Sequence, residues 1–323
     1  MPEKALVTGV AGFIGSHIAE ELLNEGYQVT GIDSFTDYYD VRLKQSNVDS
    51  LSTRDGFVLV AGSLNDVDLD SVLAGVDYVF HEAAQAGVRA SWGERFEDYI
   101  DCNIRATQKL CEAARSHSLR KFVYASSSSV YGDTTDLPMR EDSVVRPVSP
   151  YGVTKLDAEN MCLLYRKNYG LPAVCLRYFT VYGPRQRPDM AFHRFLKGAM
   201  TGTPVSVFGN GEQTRDFTFV SDVVAANLLA AGYSGNETVF NIGGGSRSSV
   251  NRVLDIIGQY ADGDFDVHYR DTEKGDVRHT FADTTRAREE LGFKPRVTLE
   301  EGIDREATWI RSMLDELHDQ DRQ

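Results

Sequence analysis

Lys4-Ala-Leu-Val-Thr-Gly9-Val-Ala-Gly12-Phe-Ile-Gly15-Ser-His-Ile18 passes from a short apolar run through three glycines into a helical pattern. The run Lys4–Thr8 reads as a strand. Ile14, Ile18, Leu22 and Leu23 share one face of a helix over Phe13–Glu25. The glycine spacing is G-x-x-G-x-x-G. One glycine suits a tight turn, one lets backbone approach a pyrophosphate, and one permits close helix–sheet packing. The helix N-terminus adds unpaired N–H groups and the positive end of its dipole. Gly9, Gly12, Phe13, Ile14 and Gly15 are therefore candidates for holding a dinucleotide. A second strand, Gln28–Ile32, leads to Asp33, 24 residues after Gly9. A carboxylate there accepts hydrogen bonds from a ribose diol and repels a 2′-phosphate, which favours NAD over NADP.

Outward from this unit the same rhythm continues. Phe57–Ala61, Tyr78–His81 and Phe122–Ser126 read as further strands, with helical patterns between them. Phe96–Ser116 and Tyr151–Tyr169 read as long helices, and Ala173–Arg177 as another buried strand. A repeating βα order implies an α/β fold, a Rossmann-type doubly wound parallel sheet with helices on both faces. After about residue 180 glycine and proline become frequent and strands shorten, as in Val205–Phe208 and Thr214–Val220. The expected division is residues 1–178 for the dinucleotide and 179–323 for a smaller α+β lobe, partly interleaved with the first. The last six residues, His318-Asp-Gln-Asp-Arg-Gln323, are polar and read as a frayed end.

The composition bounds the function. The chain has 323 residues, 41% of them hydrophobic, enough for a large core. It carries 34 Lys+Arg against 48 Asp+Glu, a net charge of −14, which disfavours nucleic acid as a partner. Only 9 of the 34 basic residues are lysine. A lysine-poor, acid-rich surface suits a protein living in high salt, where self-repulsion is screened. No segment has the run of about 18 apolar residues that a membrane span needs, and the N-terminus lacks a signal-peptide pattern. Cys102, Cys111, Cys162 and Cys175 form no C-x-x-C pair, so neither a metal site nor a redox motif is expected. They read as buried, reduced thiols of a cytoplasmic protein.

Tyr151-Gly-Val-Thr-Lys155 opens a helical pattern, and an i, i+4 pair shares one face. A tyrosine with a reference pKa near 10 is a poor base at neutral pH. Bringing it toward 7 takes about 4 kcal/mol of preferential phenolate stabilisation, which a neighbouring ammonium can supply. Ser126-Ser-Ser-Ser-Val-Tyr-Gly132 follows the strand at Phe122, at the carboxyl edge of the sheet, where open α/β sheets bind ligands. Its hydroxyls can hydrogen-bond a reacting alcohol and the carbonyl it becomes.

TGxxGxxG, SSSSVYG, YxxxK and Leu176-Arg-Tyr-Phe-Thr-Val-Tyr-Gly-Pro184 occur in that order over nearly the whole chain. Together they resemble the extended short-chain dehydrogenase/reductase family, specifically its NAD-dependent nucleotide-sugar epimerases. The resemblance implies that Tyr151 removes the proton of the sugar 4-hydroxyl. Lys155 would tune Tyr151 and hold the nicotinamide ribose, Ser127 would bond the 4-oxygen, and Ser129 would lie nearby. C4 would be oxidised, the keto sugar would turn over, and reduction on its other face would invert C4. Ser63, Leu64 and Phe179 would also line the cofactor. Related dehydratases carry Thr-Asp-Glu where this chain has Ser127-Ser128-Ser129, and uronate decarboxylases a Glu at the last position. Their absence favours epimerisation.

Phe35-Thr-Asp-Tyr-Tyr-Asp40, Ala84-Gln-Ala-Gly-Val-Arg89 and Thr180-Val-Tyr-Gly-Pro-Arg-Gln-Arg187-Pro-Asp-Met190 resemble UDP-glucuronate 4-epimerases. This places Thr180 and Arg187 near a substrate carboxylate, with the diphosphate or the fold as the other reading for Arg187. UDP-glucose is the alternative substrate. Phe208 resembles the residue that packs on uracil, with core packing as the other reading, and Arg215 a diphosphate ligand. Ser63 stands where the family usually has Asp at the adenine, and Glu273 near the place of a diphosphate-binding Arg. Arg278 or Arg270 could substitute, or that loop points away. His81, His193 and Asn103 are read as structural. The family usually forms a homodimer through the two long helices. A net oxidoreductase and a non-catalytic NAD-binding scaffold compete with the epimerase reading. Asp33 argues against NADPH, and the intact Tyr151, Lys155 and Ser127 argue against a dead site.

Overall fold

The computed structural model describes residues 2–261, 263 and 265–320. The chain begins with β1 (Lys4–Thr8), α1 (Phe13–Asn24), β2 (Gln28–Asp33), α2 (Val41–Ser52), β3 (Phe57–Ala61), α3 (Leu69–Leu73) and β4 (Tyr78–His81). Next comes one helical rod. α4 (Phe96–Tyr99) passes through a π-helical stretch (Ile100–Arg105) into α5 (Ala106–Ala114). β5 (Lys121–Ser127), α6 (Pro150–Tyr169) and β6 (Ala173–Tyr178) complete the first half. α6 has clear end signals. The Ser149 side chain accepts from the Gly152 N–H at 3.1 Å, Pro150 occupies the first turn, and Gly170 ends the helix at φ +74°.

With β11 (Val239–Ile242) from the second half, the central sheet has the order β11-β6-β5-β4-β1-β2-β3, and every pairing is parallel. The chain runs outward from β1 through β2 to β3, then returns to place β4 on the other side of β1. The strand order therefore reverses between β1 and β4, and a crevice opens at their carboxyl ends. Side chains alternate between two buried faces. Ala5 and Val7 face α1, whereas Leu6 joins Leu69 and Leu73 of α3, Leu110 of α5 and Cys162 of α6. This near-continuous apolar strand content is what a sheet covered on both faces requires.

The second half holds β7 (Val181–Tyr182), α7 (Ala191–Thr201), β8 (Val205–Phe208), β9 (Thr214–Asp216), β10 (Thr218–Phe219), α8 (Val220–Gly232), β11 (Val239–Ile242), β12 (Arg247–Ser249), α9 (Val250–Ile257), β13 (Val267–Arg270) and α10 (Leu299–Gln320). β7 pairs with β10, β8 with β13 and β9 with β12. The expected strand Thr214–Val220 is two strands. Asp216 turns inward, where its carboxylate accepts the N–H groups of Gly244 at 2.8 Å and Ala282 at 3.1 Å. The chain then leaves β12 and joins β7. The change at residue 178 is one of rhythm rather than of core. β11 adds to the first half's sheet, and Val7 and Phe13 share a cluster with Phe217, Val223 and Ile310.

The helix expected over Phe96–Ser116 ends at Ala114 and contains the π stretch. Its wider turn holds Asn103, whose side chain accepts from Gln85 N at 2.8 Å and donates to Gln85 O at 3.0 Å and Thr154 Oγ1 at 2.9 Å. Cys111, Cys162 and Cys175 are buried free thiols, but Cys102 is only half-buried. At the C-terminus, α10 continues through Gln320, into the segment read as frayed, and residues 321–323 lie outside those described. Among the described residues no helix is long and apolar enough to cross a membrane.

Candidate active site

A cavity opens at the reversal between β1 and β4. Gly9, Gly12, Phe13, Ile14, Gly15, Asp33, Ser63, Leu64, Tyr151 and Lys155 all line it. Its floor needs glycine at two places. A Cβ on Gly9, at φ +68°, would lie 2.9 Å from Ala83 backbone, and one on Gly15 would lie 2.3 Å from Gly9 O. The first-turn N–H groups of α1 have no intrahelical partner, and their residues face this cavity. Asp33 ends β2 with its carboxylate on the Ala11 N–H at 3.0 Å and the Phe35 N–H at 2.8 Å. Burial raises its pKa, and these N–H groups and Lys44 oppose the rise. Helix end, glycine floor and a carboxylate lining the cavity at the end of β2 together suit a dinucleotide without a 2′-phosphate.

Tyr151 and Lys155 enter from the first turns of α6, and Ser127 from the end of β5. Burial raises the Tyr151 hydroxyl above its ordinary value; a hydrogen bond with Ser127 and the charge of Arg187 pull it down. The cation acting on Tyr151 in the free protein is thus Arg187, where Lys155 was expected. Lys155 is buried, with its ammonium 4.5 Å from the centre of the Tyr124 ring. Burial lowers its pKa to about 8, and the largest opposing effect is the carboxylate of Glu82. Ser126, by contrast, turns inward to donate to Glu159 Oε2 at 2.5 Å, beside the buried Arg177–Glu159 ion pair.

A second cavity adjoins the first and shares Phe13, Ile14, Tyr38, Tyr151, Tyr178 and Arg187 with it. Ser127, Ser129, Thr180, Arg187, Phe208 and Arg215 all line it. Arg187 is already engaged, since its Nε and Nη2 donate to the two oxygens of Asp189, each at 3.0 Å. Tyr38 OH donates to the same carboxylate at 3.3 Å. The Phe208 ring is covered by the Arg89 guanidinium 4.0 Å above it, and Arg89 pairs with Asp276 at 2.7 Å. Arg215 donates to the backbone oxygens of Thr214, Val277 and Arg278 at 3.0, 2.6 and 3.1 Å. Glu273 is exposed and does not line the cavity; Asp276 of that loop does.

One expected cofactor residue is corrected. The Phe179 side chain is wholly buried with Val130, Tyr131 and Met139 and lines neither cavity. Successive side chains alternate at a strand end, so Tyr178 faces the cavities and Phe179 turns away. His81 and His193 are structural. The Thr107 hydroxyl donates to Asn103 O at 2.6 Å, so it accepts from His81 Nε2–H, and His81 Nδ1 then accepts from the Thr8 hydroxyl. Burial lowers His81 to about 3, which keeps the ring neutral. Glu82, Tyr178, Tyr38, Asp189 and Arg89 also line the cavities; Glu82 lies outside the segments quoted from the sequence, and the other four stood inside them without a role of their own. For Glu82 and Tyr178 a signal existed: each closes a strand at the carboxyl edge of the sheet.

The profile of the NAD dependent epimerase/dehydratase family matches residues 5–243. The chain belongs to that family. Among relatives of this epimerase/dehydratase is an uncharacterized UDP-glucose epimerase of Bacillus subtilis. It is 44% identical over 313 residues, covering 96% of this chain and 98% of the relative. A UDP-glucuronate 4-epimerase of Thermodesulfobacterium geofontis is 37% identical, covering 96% and 97%. The crystal structure of a UDP-glucuronic acid 4-epimerase from Bacillus cereus, with UDP-glucuronic acid and NAD, superposes with a TM-score of 0.93. It is 41% identical and covers 96% of this epimerase/dehydratase and 99% of the other chain.

Proposed function

We propose that this protein is an NAD-dependent UDP-sugar 4-epimerase that inverts C4 of UDP-glucuronate in preference to UDP-glucose. The observation that carries the reading is the convergence of Tyr151, Lys155 and Ser127 where two cavities meet. One cavity suits a dinucleotide and the other, lined by Thr180, Arg187, Phe208 and Arg215, a nucleotide sugar. When bound, NAD supplies the oxidising and then the reducing equivalents at C4. The chain does the rest. Tyr151 takes the proton of the 4-hydroxyl and later returns it. Ser127 donates to the 4-oxygen as it becomes a carbonyl, and Ser129 keeps it in register. The cations Lys155 and Arg187 favour the phenolate. No carboxylate occupies Ser127–Ser129, so nothing there serves elimination or decarboxylation.

Gly9, Gly12, Phe13, Ile14, Gly15, Asp33, Ser63 and Leu64 hold the cofactor in this reading. Thr180, Arg187, Phe208 and Arg215 hold the substrate, once Arg89 leaves the Phe208 ring to the uracil. The first half of the chain is the NAD-binding lobe and the second the nucleotide-sugar lobe. UDP-glucose is the second reading, favoured by Asp189, which already occupies the Arg187 fork. The test presents UDP-glucuronate and UDP-glucose separately and reads C4 configuration by NMR. Conversion of UDP-glucose alone overturns the substrate assignment. Retained epimerisation by Tyr151→Phe overturns the mechanism.

The working form in this proposal is a cytoplasmic homodimer in a salty interior. Val153 is 42% exposed, Leu164 54% and Tyr169 57%, an apolar set on α6 that a second copy would cover. Leu164→Glu is expected to give monomers in analytical ultracentrifugation.

A further inference from the structure

Glu82 is an unusual residue for its place. It follows β4 directly, at the carboxyl edge, and lines the cavity that also holds Lys155, Tyr151 and Tyr178. A Cβ added to Gly9 would come within 3.1 Å of the Glu82 carbonyl carbon, so the glutamate sits against the glycine loop. Its side chain is hung from inside the protein. Asn227 Nδ2, fully buried on α8, donates to Tyr178 OH at 2.7 Å, and Tyr178 OH donates to Glu82 Oε1 at 2.9 Å. This relay joins α8 and β6 to the end of β4 and ends on a carboxylate aimed at the site. A single hydroxyl is a thin partner for a carboxylate in such a place.

We propose that Glu82 is a positioning residue of the reaction, whose carboxylate, held by the Asn227–Tyr178 relay, keeps Lys155 cationic across the shared cavity. The proposal rests on the catalytic role given to Lys155 above. The charged and titratable groups around Glu82 are few. Lys155 and Tyr151 face the cavity from α6, Tyr178 from β6, and Tyr124 lies under Lys155 from β5; Lys155 is also acted on, less than by Glu82, by Cys162 and the Arg177-paired Glu159 of α6 and by Cys175 of β6. His81, its neighbour on β4, is neutral, and Arg187 acts on Tyr151 from the far wall. Burial raises the Glu82 carboxyl to about 7, against the Tyr178 hydrogen bond and the Lys155 charge. Between that pH and about 8 the site holds a carboxylate and an ammonium; below that window the ammonium stands alone. An opposite charge favours the charged form of its neighbour.

The sign of the stability effect follows. A carboxyl raised by folding binds its proton more tightly in the folded state. Its contribution is present below the unfolded value and lost as pH rises through about 7. Glu82→Gln keeps an oxygen for Tyr178 and cannot ionise. Two measurements on this variant test the proposal. In ligand-free protein, the Tm of Glu82→Gln should gain on the parent by about 2 °C or more between pH 5 and pH 8. In holoenzyme, the alkaline limb of kcat/KM should move down by about one pH unit, because Lys155 has lost its main partner. Tyr178→Phe should move the limb the same way, and should move it no further in the Glu82→Gln background. A pH-independent Tm difference, or an unmoved alkaline limb, overturns the proposal. Retained activity in Tyr151→Phe would instead overturn the catalytic reading on which it rests, so the two failures are distinct.

Discussion

At the scale of single residues, the site is a problem of keeping one hydroxyl and one ammonium in the right charge state inside a buried cleft. Tyr151→Phe removes the proton carrier and leaves the ring; kcat should fall by about 10²–10⁴-fold. The purified variant should keep its bound dinucleotide, read from its absorbance spectrum. Lys155 sets the upper pH limit. Its pKa of about 8 predicts that kcat/KM falls as pH rises through that value and the ammonium is lost. The glycines, Asp33, Ser127, Tyr151 and Lys155 were legible in the chain because each sits in a short motif whose neighbours declare its element. Glu82 and Tyr38 were given no role, because their partners come from elsewhere. Tyr38 reaches Asp189 across 151 positions, and Tyr178 meets Glu82 across 96. The error at Phe179 has a different origin. A motif names a position, but the pleat decides which of two adjacent side chains faces the ligand.

At the scale of elements, the strand–loop–helix unit and the π-helical turn do the positioning. Gly15→Ala would put a methyl 2.3 Å from Gly9 O, where backbone cannot yield. A stability loss of about 2 kcal/mol or more is expected, with loss of bound NAD on gel filtration. Asn103 ties the loop after β4 to α6, the helix that carries Tyr151 and Lys155. Asn103→Leu would strand both backbone groups of Gln85 and should cost about 2–4 kcal/mol, seen as a lower denaturation midpoint. Strand and helix existence was readable from apolar period alone, and β1 through β6 lie close to where that period puts them. The π stretch left no such trace, since one extra residue per turn barely alters the pattern. The break between β9 and β10 was equally hidden, because the inward turn of Asp216 depends on N–H groups of Gly244 and Ala282.

At the scale of the whole molecule, the net charge of −14 and the anionic ligands pull in opposite directions. The cations that line the cavities are local, and the excess acid spreads over the outside. Raising KCl from about 0.1 M to about 2 M should raise the Tm by screening that surface, and a flat or falling Tm would count against a salt-adapted protein. Composition gave this reading, but nothing in it foretold that the two halves share a core. That sharing has a consequence for how the protein is made. β6 stays an open sheet edge, Ala173-Val-Cys-Leu-Arg-Tyr178, until Val239–Ile242 arrives from more than 60 positions later. On the ribosome the first half therefore emerges with a bare, apolar edge and must wait for β11 before it is closed. A gene cut after Tyr178 should yield aggregates rather than a soluble NAD-binding fragment.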